Sequence, residues 1–351
     1  MIVPTYMGLI MKFWIVILSC VITFVKAQKL ELQPLLNSKI SIRAIVLDGN
    51  KVWFVGTDSQ LGFVNMNEAS DYKIIPLSSN QLQFRTLAKD DQYLYTISIG
   101  SPAYFYKVDK KNLEYEIFYT DEDKNAFYDA LVLDQKDFYT FSDPEETLNL
   151  KWLKFNLEKS GDLLNYLSKK TQLTKGEAAF AASNSNIAVS NEYVWLVTGG
   201  VESKIYRWNK RKSNLEIFPT PIIQGKTTQG IYTIDFYQQF GIAAGGDYTQ
   251  PQENINNIAT TKNAGKTWTV RASGKNAGYT TCVKIRPGSK GKEIIAVGDH
   301  HISYSSDYGK TLEKISDEKD FYTCFWKDEK TLVFAGKNKI AKGIFLPKKN
   351  K

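Results

Sequence analysis

The residues of this chain with the means to do chemistry are two arginines and a set of carboxylates. Arg43, Arg85 and Asp129 stand at equivalent points of three similar apolar stretches, while Asp143, Glu177, Asp247 and Asp299 fall in turns or links rich in small residues. A guanidinium beside carboxylates shifts their protonation, and carboxylates facing an opening are the usual tools of general acid–base work. Asp143 and Glu177 suit the roles of acid and base. The competing use of the same charges is as ion pairs filling a watery channel. Ser101 and Tyr248 lie in the same turns and complete a candidate ligand-binding rim with Arg43, Arg85, Asp129, Asp143, Glu177 and Asp247. No catalytic role is assigned to any of them. His300 and His301 are the only histidines and, being adjacent, point to opposite faces of a strand. With no C-x-x-C, no spaced His/carboxylate set and no G-x-G-x-x-G between a strand and a helix, neither metal nor cofactor is expected.

A repeated hairpin must position these residues. Seven stretches show an apolar strand, a polar turn and a second apolar strand ending in Gly, Ser or Asp. They start at Ile40, Leu82, Ala126, Asn186, Gly230, Tyr279 and Phe321, with central turns near Asp48, Asp90, Asp134, Ser190, Gln238, Gly288 and Asp328. The turns recur every 40–56 residues or so, the range of four-stranded propeller blades. A third strand follows in each, as in Ala103–Asp109 or Lys204–Asn209. Asn67, Asp109, Asn156, Asn209, Asn263 and Asp307 then close turns on their own backbone. Helical periodicity is limited to a turn or two around Asp162–Lys170. The pattern predicts an all-β, seven-bladed β-propeller of four-stranded, WD40/YVTN-like blades, one domain over 28–351. Lys29–Leu36 is placed as the outer strand that locks the last blade.

In such a ring, the second-to-third turns share one rim with the links between blades. Gly100–Ala103, Phe141–Pro144, Gly199–Gly200, Gly245–Tyr248 and Gly298–His301 are turns of this kind, and Gly176–Ser183, Thr220–Gly230 and Ser273–Tyr279 are links. Small residues there leave backbone N–H groups free to face a ligand, or simply make tight turns. Asn263–Trp268 and Ser305–Thr311 lie on the opposite rim.

Those last two turns resemble the Asp-box, S/T-x-D-x-G-x-x-W, through Asn263, Gly265 and Trp268 in one and Asp307 and Gly309 in the other. Asn263 replaces the box Asp and Leu312 the box Trp. Together with Ser98–Ala103, Phe141–Pro144, Gly176–Ser183 and Gly245–Tyr248, they make the chain similar to the BNR/Asp-box propellers that include photosystem II stability/assembly factors. Secreted Bacteroidetes-type relatives often carry the label oxidoreductase. The resemblance implies a propeller that binds a protein or assembles with one, and it brings no accepted catalytic set. Asp-boxes also recur in sialidases, whose chemistry needs three arginines on the substrate carboxylate. Only six arginines exist here (Arg43, Arg85, Arg207, Arg211, Arg271, Arg286), and Arg207 and Arg211 lie by the far rim. The alternatives to a binding module are a glycoside hydrolase or lyase at the channel mouth and a redox enzyme.

Phe13–Val25 is a 13-residue apolar run after Lys12, suited to a signal peptide over 1–27 and short for a spanning helix. Val25-Lys26-Ala27 fits the cleavage site, with Gln28 as the mature start. Met7 and Met11 are other candidate starts, and Cys20 gives a rival lipoprotein reading. The protein is therefore expected to be periplasmic or extracellular, with no membrane span after cleavage. Cys282 and Cys324 are read as small packed residues, with a bridge permitted by oxidising surroundings. The formal charge of +8 forms no basic stripe interleaved with aromatics, so nucleic acid is not an expected partner. An unknown protein or envelope ligand is, and the chain is expected to be a monomer.

Overall fold

Strand formers alternate with Asp, Asn, Gly and Ser turns along the whole described chain, and strands are what they form. The computed structural model describes residues 29–144, 146–159 and 164–346, and every regular element among them is a β-strand. The signal-peptide segment, Cys20 and the Lys348–Lys351 tail lie outside the described residues. So do 162–163 of the stretch read as briefly helical, whose remainder contains a strand.

In chain order, the first unit is β1 (Lys29–Asp48), β2 (Lys51–Gly56), β3 (Gln60–Asn65) and β4 (Tyr72–Pro76). The second is β5 (Ala88–Lys89), β6 (Tyr93–Ile97), β7 (Ala103–Asp109) and β8 (Tyr115–Asp121). The third is β9 (Tyr128–Asp134), β10 (Asp137–Ser142), β11 (Trp152–Phe155) and β12 (Asn165–Tyr166). Next come β13 (Glu177–Ala178), β14 (Ile187–Val189), β15 (Tyr193–Val197), β16 (Gly199–Gly200), β17 (Lys204–Asn209) and β18 (Asn214–Pro219). Then follow β19 (Gln229–Tyr237), β20 (Phe240–Asp247), β21 (Ile258–Thr261) and β22 (Thr269–Val270). The chain finishes with β23 (Cys282–Ile285), β24 (Ile294–Gly298), β25 (His301–Ser305), β26 (Glu313–Ser316), β27 (Phe321–Trp326) and β28 (Thr331–Leu346). The inner strands β1, β5, β9, β14, β19, β23 and β27 follow one another around a common channel.

The expected seven separate blades are corrected by the pairing. The strands join in six hydrogen-bonded sheets, four of four strands and two of six, so the propeller counted by sheets has six blades. The reason is β1. Its first half pairs with β28 from Lys29↔Leu346 to Asn37↔Lys339, and its second half pairs with β2 from Ile42↔Gly56 to Asp48↔Lys51. One continuous strand thereby fuses the first and last units into a single sheet, β27-β28-β1-β2-β3-β4. β28 turns back on itself at Lys337-Asn338, where Asn338 is left-handed (φ 64°), and Phe345 N donates to Lys330 O at 2.8 Å. The locking strand expected at Lys29–Leu36 is therefore found, and it removes an exposed edge. The second six-stranded sheet arises because β13 and β16 extend β19–β22.

Most of the Asx turns are where the sequence places them. Asp109, Asn156 and Asn209 accept from the backbone N–H two residues on, at 2.7, 3.0 and 3.0 Å. In the first unit the acceptor is Asn65, bonded to Asn67 N at 3.0 Å, so the turn-closing residue is Asn65 and not Asn67. Apolar side chains fill the spaces between neighbouring sheets, with Trp53, Trp152 and Trp195 among the largest fully buried. No helix among the described residues is long and apolar enough to cross a membrane.

Candidate functional site

Six of the inner strands, or their leading residues, are bound to one segment of chain that crosses the channel. This plug, Ala179–Ser185, runs from β13 to β14. Arg43 Nη1 donates to Ala182 O at 3.1 Å and Arg85 Nη1 to Ala181 O at 3.4 Å. Asn184, left-handed at φ 56°, accepts from Leu131 N at 2.9 Å and donates to Leu87 O at 2.8 Å. Ser183 Oγ donates to Thr281 O at 2.6 Å, and Thr323 Oγ1 to Ser183 O at 3.2 Å. Ser185 Oγ bonds Thr233 Oγ1 at 2.7 Å. Buried polar groups cost free energy unless paired, so this set of bonds over-determines the path of the plug.

A second layer is aromatic. Phe180 stacks on Tyr232 (centroids 3.9 Å, 8°), Tyr279 meets Tyr232 edge-on at 4.8 Å, and the Arg43 guanidinium lies 4.0 Å over Tyr322. Arg43, Asp129, Tyr232 and Tyr322 are each the extra residue of a β-bulge on an inner strand, which re-aims them toward the axis. The sequence reading extended that register to Arg43, Arg85 and Asp129 only. Continuing it would have reached Tyr232 and Tyr322. Nothing in the sequence announces that the link through Phe180 crosses the axis.

The candidate carboxylates divide into spent and unspent. Glu177, fully buried, accepts from Thr174 N at 3.1 Å, Thr198 Oγ1 at 2.7 Å, Tyr206 OH at 2.8 Å and Lys204 Nζ at 2.9 Å. Every lone pair aimed at a donor leaves none for acid–base work. Asp247 is likewise closed into its turn by Thr249 N (3.0 Å), Thr249 Oγ1 (2.6 Å) and Gln229 Nε2 (3.2 Å). Burial raises its pKa, but the Thr249, Thr228 and Gln229 bonds outweigh that and hold it below the ordinary value. Asp299 is raised by burial, against the pull of Arg43.

Asp129 and Asp143 are different. Neither oxygen of Asp129 nor Oδ1 of Asp143 has a hydrogen-bond partner of good geometry among the described residues. Burial pushes Asp143 up to about 7. Burial first, and Asp143 second, raise Asp129 well above the carboxylate range, with Arg85 and the Ala181 amide opposing. Burial, then Arg43, lowers the Arg85 guanidinium below its usual value. Asp143 opens onto a cavity of about 610 Å³ with Ser101, Lys124, Phe127, Glu177 and Thr227 in its wall. The structure thus brings Ser101, Asp143 and Glu177 together, and places Arg43 and Arg85 behind them on the plug. Asp247, at the end of β20 in the same six-stranded sheet as Glu177, and Tyr248 lie outside that cavity's wall, and Tyr248 is 52% exposed.

The glycines of the Gly245–Tyr248 turn serve packing. A Cβ on Gly245 would stand 1.8 Å from Gly230 O, and its amide already donates to Asn257 O at 2.9 Å. The expectation of free N–H groups there is corrected accordingly. On the opposite rim the two box-like turns share one wiring. Thr261 Oγ1 bonds Asn263 Oδ1 (2.9 Å) and accepts from Gly265 N (3.1 Å), and Asn263 Oδ1 accepts from Thr267 N (3.0 Å). Ser305, Asp307, Gly309 and Thr311 repeat this at 2.9 Å throughout. Trp268 Nε1 adds a bond to Gly265 O at 2.9 Å. These are turn clasps. Arg207 lies near this rim, buried and paired with Glu216 at 2.6 Å.

Below the plug the channel opens toward that rim as a cavity of about 360 Å³. Its wall includes Leu47, Leu87, Leu133, Val189 and Phe325, with Asp235, Lys284 and Cys324 among them. His301 is buried elsewhere, between Tyr279 O (3.2 Å) and Ser303 Oγ (2.9 Å), and burial lowers it to about 4. His300 turns away to Pro251 O at 3.1 Å.

No family model matches the sequence, and no curated protein does. Solved structures share the fold. The structure of YCF48 bound to D1 peptide matches with a TM-score of 0.65 at 12% identity, covering 91% of this chain and 95% of that one. U3-55K matches at 0.63 and 12% identity, covering 89% of this chain and 98% of its own. The RRP9 WD40 repeats match at 0.63 and 11%, covering 90% and 97%. The chain is a β-propeller similar in fold to YCF48 and to WD40 propellers.

Proposed function

We propose that the protein is an exported, non-catalytic propeller of the BNR/Asp-box kind that receives a protein segment on its plugged mouth. The observation that carries this reading is the plug. A channel closed by Ala179–Ser185 offers a broad rim with the Asp143 cavity set into it, the shape suited to a chain laid across it. Catalysis by a carboxylate pair needs two free carboxylates at one opening, and Glu177 is held by four donors. YCF48 is a propeller bound to a peptide. That likeness concerns fold, and a peptide ligand for this chain is our proposal. Export rests on the apolar run Phe13–Val25, with Gln28 as the proposed mature start.

Affinity capture from an envelope extract tests the binding reading. The wild type and a Tyr72→Ala variant, altered on an exposed outer strand, are expected to retain the same proteins. A Ser101→Arg/Tyr248→Ala double variant is expected to lose them at least about tenfold, the loss of one aromatic anchor. Equal capture by all three, or none by the wild type, overturns the proposal.

A further inference from the structure

Cys282 and Cys324 take no part in the binding face. They lie on neighbouring inner strands, β23 and β27, which belong to different sheets, and both are fully buried free thiols. Cys324 Sγ donates to Cys282 Sγ at 4.0 Å, and Thr323 Oγ1 lies 3.9 Å from Cys282 Sγ. Cys324 lies on an inner strand that walls the lower cavity, and since neither sulfur is itself exposed, a small solute from the clasp rim reaches the pair only when that wall opens. Lys284, two residues beyond Cys282, stands in the same wall, where Asp235 is the strongest charge acting on its ammonium and the cysteines come after it. The hydrogen bond from Cys324 brings the Cys282 thiol down to about 6 against burial, and the Lys284 ammonium adds to the effect. Burial, followed by the bond to Cys282, raises Cys324. At neutral pH the two sulfurs therefore hold one proton between them.

We infer that Cys282 and Cys324 are a paired-thiol modification site, which a small hydroperoxide entering the lower channel converts into a disulfide between two sheets. The Cys282 sulfur, the one held as thiolate beside Lys284, takes one oxygen of hydrogen peroxide, the O–O bond breaks, and hydroxide leaves. The Cys324 sulfur then attacks the Cys282 sulfenic acid, the S–S bond forms, and the S–OH oxygen departs as water with the Cys324 proton. The two sulfurs lose two electrons and the peroxide gains them, giving hydroxide and water. Closing a 4.0 Å gap to the ~2.05 Å of a disulfide needs about 2 Å of sulfur movement, within the reach of a side-chain rotation. The bond fastens the sheet of β23–β26 to the sheet that closes the ring through β1 and β28, so it adds a covalent clasp beside a seam otherwise held by hydrogen bonds.

Peptide mapping of the purified full chain, before and after hydrogen peroxide and under alkylating denaturation, tests this. The expected result is a Cys282–Cys324 linked peptide that appears with peroxide and disappears with dithiothreitol. With Cys324→Ser, Cys282 is expected to accumulate a sulfenic acid trapped by dimedone. Lys284→Gln is expected to slow linkage several-fold at pH 7. Persistence of two alkylatable thiols, or over-oxidation of one sulfur without any linked peptide, overturns the inference. An unchanged rate in Lys284→Gln overturns the part given to the ammonium.

Discussion

The two ends of the central channel are lined by the same inner strands, yet their chemistry is opposite. At the mouth, bulges turn Arg43, Asp129, Tyr232 and Tyr322 inward, and a polar segment is tied to them by hydrogen bonds. At the other end the strands run without bulges, and Leu47, Leu133, Val189 and Phe325 border an open cavity. The difference teaches where rigidity and openness come from. Buried polar groups demand partners, so the mouth is locked by mutual satisfaction. Apolar walls make no such demand, so the lower end stays open, with Asp235 and Lys284 as the charged groups in its wall.

The contrast can be broken most severely at Glu177. Glu177→Ala strips a buried carboxylate from four donors, including Lys204, and is expected to cost about 3–5 kcal/mol in chemical denaturation. Asn184→Ala comes next. It leaves Leu131 N and Leu87 O unpaired beneath the plug, and a loss of about 2–3 kcal/mol is expected by the same measurement. Phe325→Ala at the open end, where the ring is already 41% exposed, is expected to cost under ~1 kcal/mol. A cost equal to that of Asn184→Ala would erase the distinction between the ends.

The mouth also carries a pH signature. Asp143 is raised from 3.8 to about 7, so between those values the folded chain holds a proton that the unfolded chain has released. Stability from this group is fully present below about 4 and is lost as pH rises through about 7, with the raised Asp129 acting in the same direction. Thermal melts are expected to fall by roughly 2–4 °C per kcal/mol lost across this window, and Asp143→Asn to flatten the trend. The smallest effect on stability is expected of Tyr248→Ala, within ~0.5 kcal/mol of wild type, although it is expected to weaken partner capture.

Much of this was legible in the sequence because it is local. Strands such as Ala103–Asp109 and Lys204–Asn209 fall where a two-residue period and a closing Asp or Asn put them. The locking strand at Lys29–Leu36 was visible because the last unit lacks an outer strand of its own. The number of sheets was not, since it depends on β1 pairing on two sides at once, which no local pattern records. At the site, the shared register of Arg43, Arg85 and Asp129 could be read, and all three meet at the mouth. Glu177 reads as a rim acid because three of its four donors, Thr198, Lys204 and Tyr206, are 21 to 29 residues away in sequence. Ala179–Ser185 reads as an ordinary link of small residues, and only the tertiary partners of Asn184 and Ser183 make it a plug.

Site-specific photo-crosslinking in the native envelope tests the central claim most directly, with the reactive residue placed in turn at Tyr248 on the mouth and at Gln239 near the clasp turns. Discrete crosslinked protein adducts are expected from position 248 and none from position 239. Adducts from position 239 alone would place the binding surface on the other face and contradict that claim.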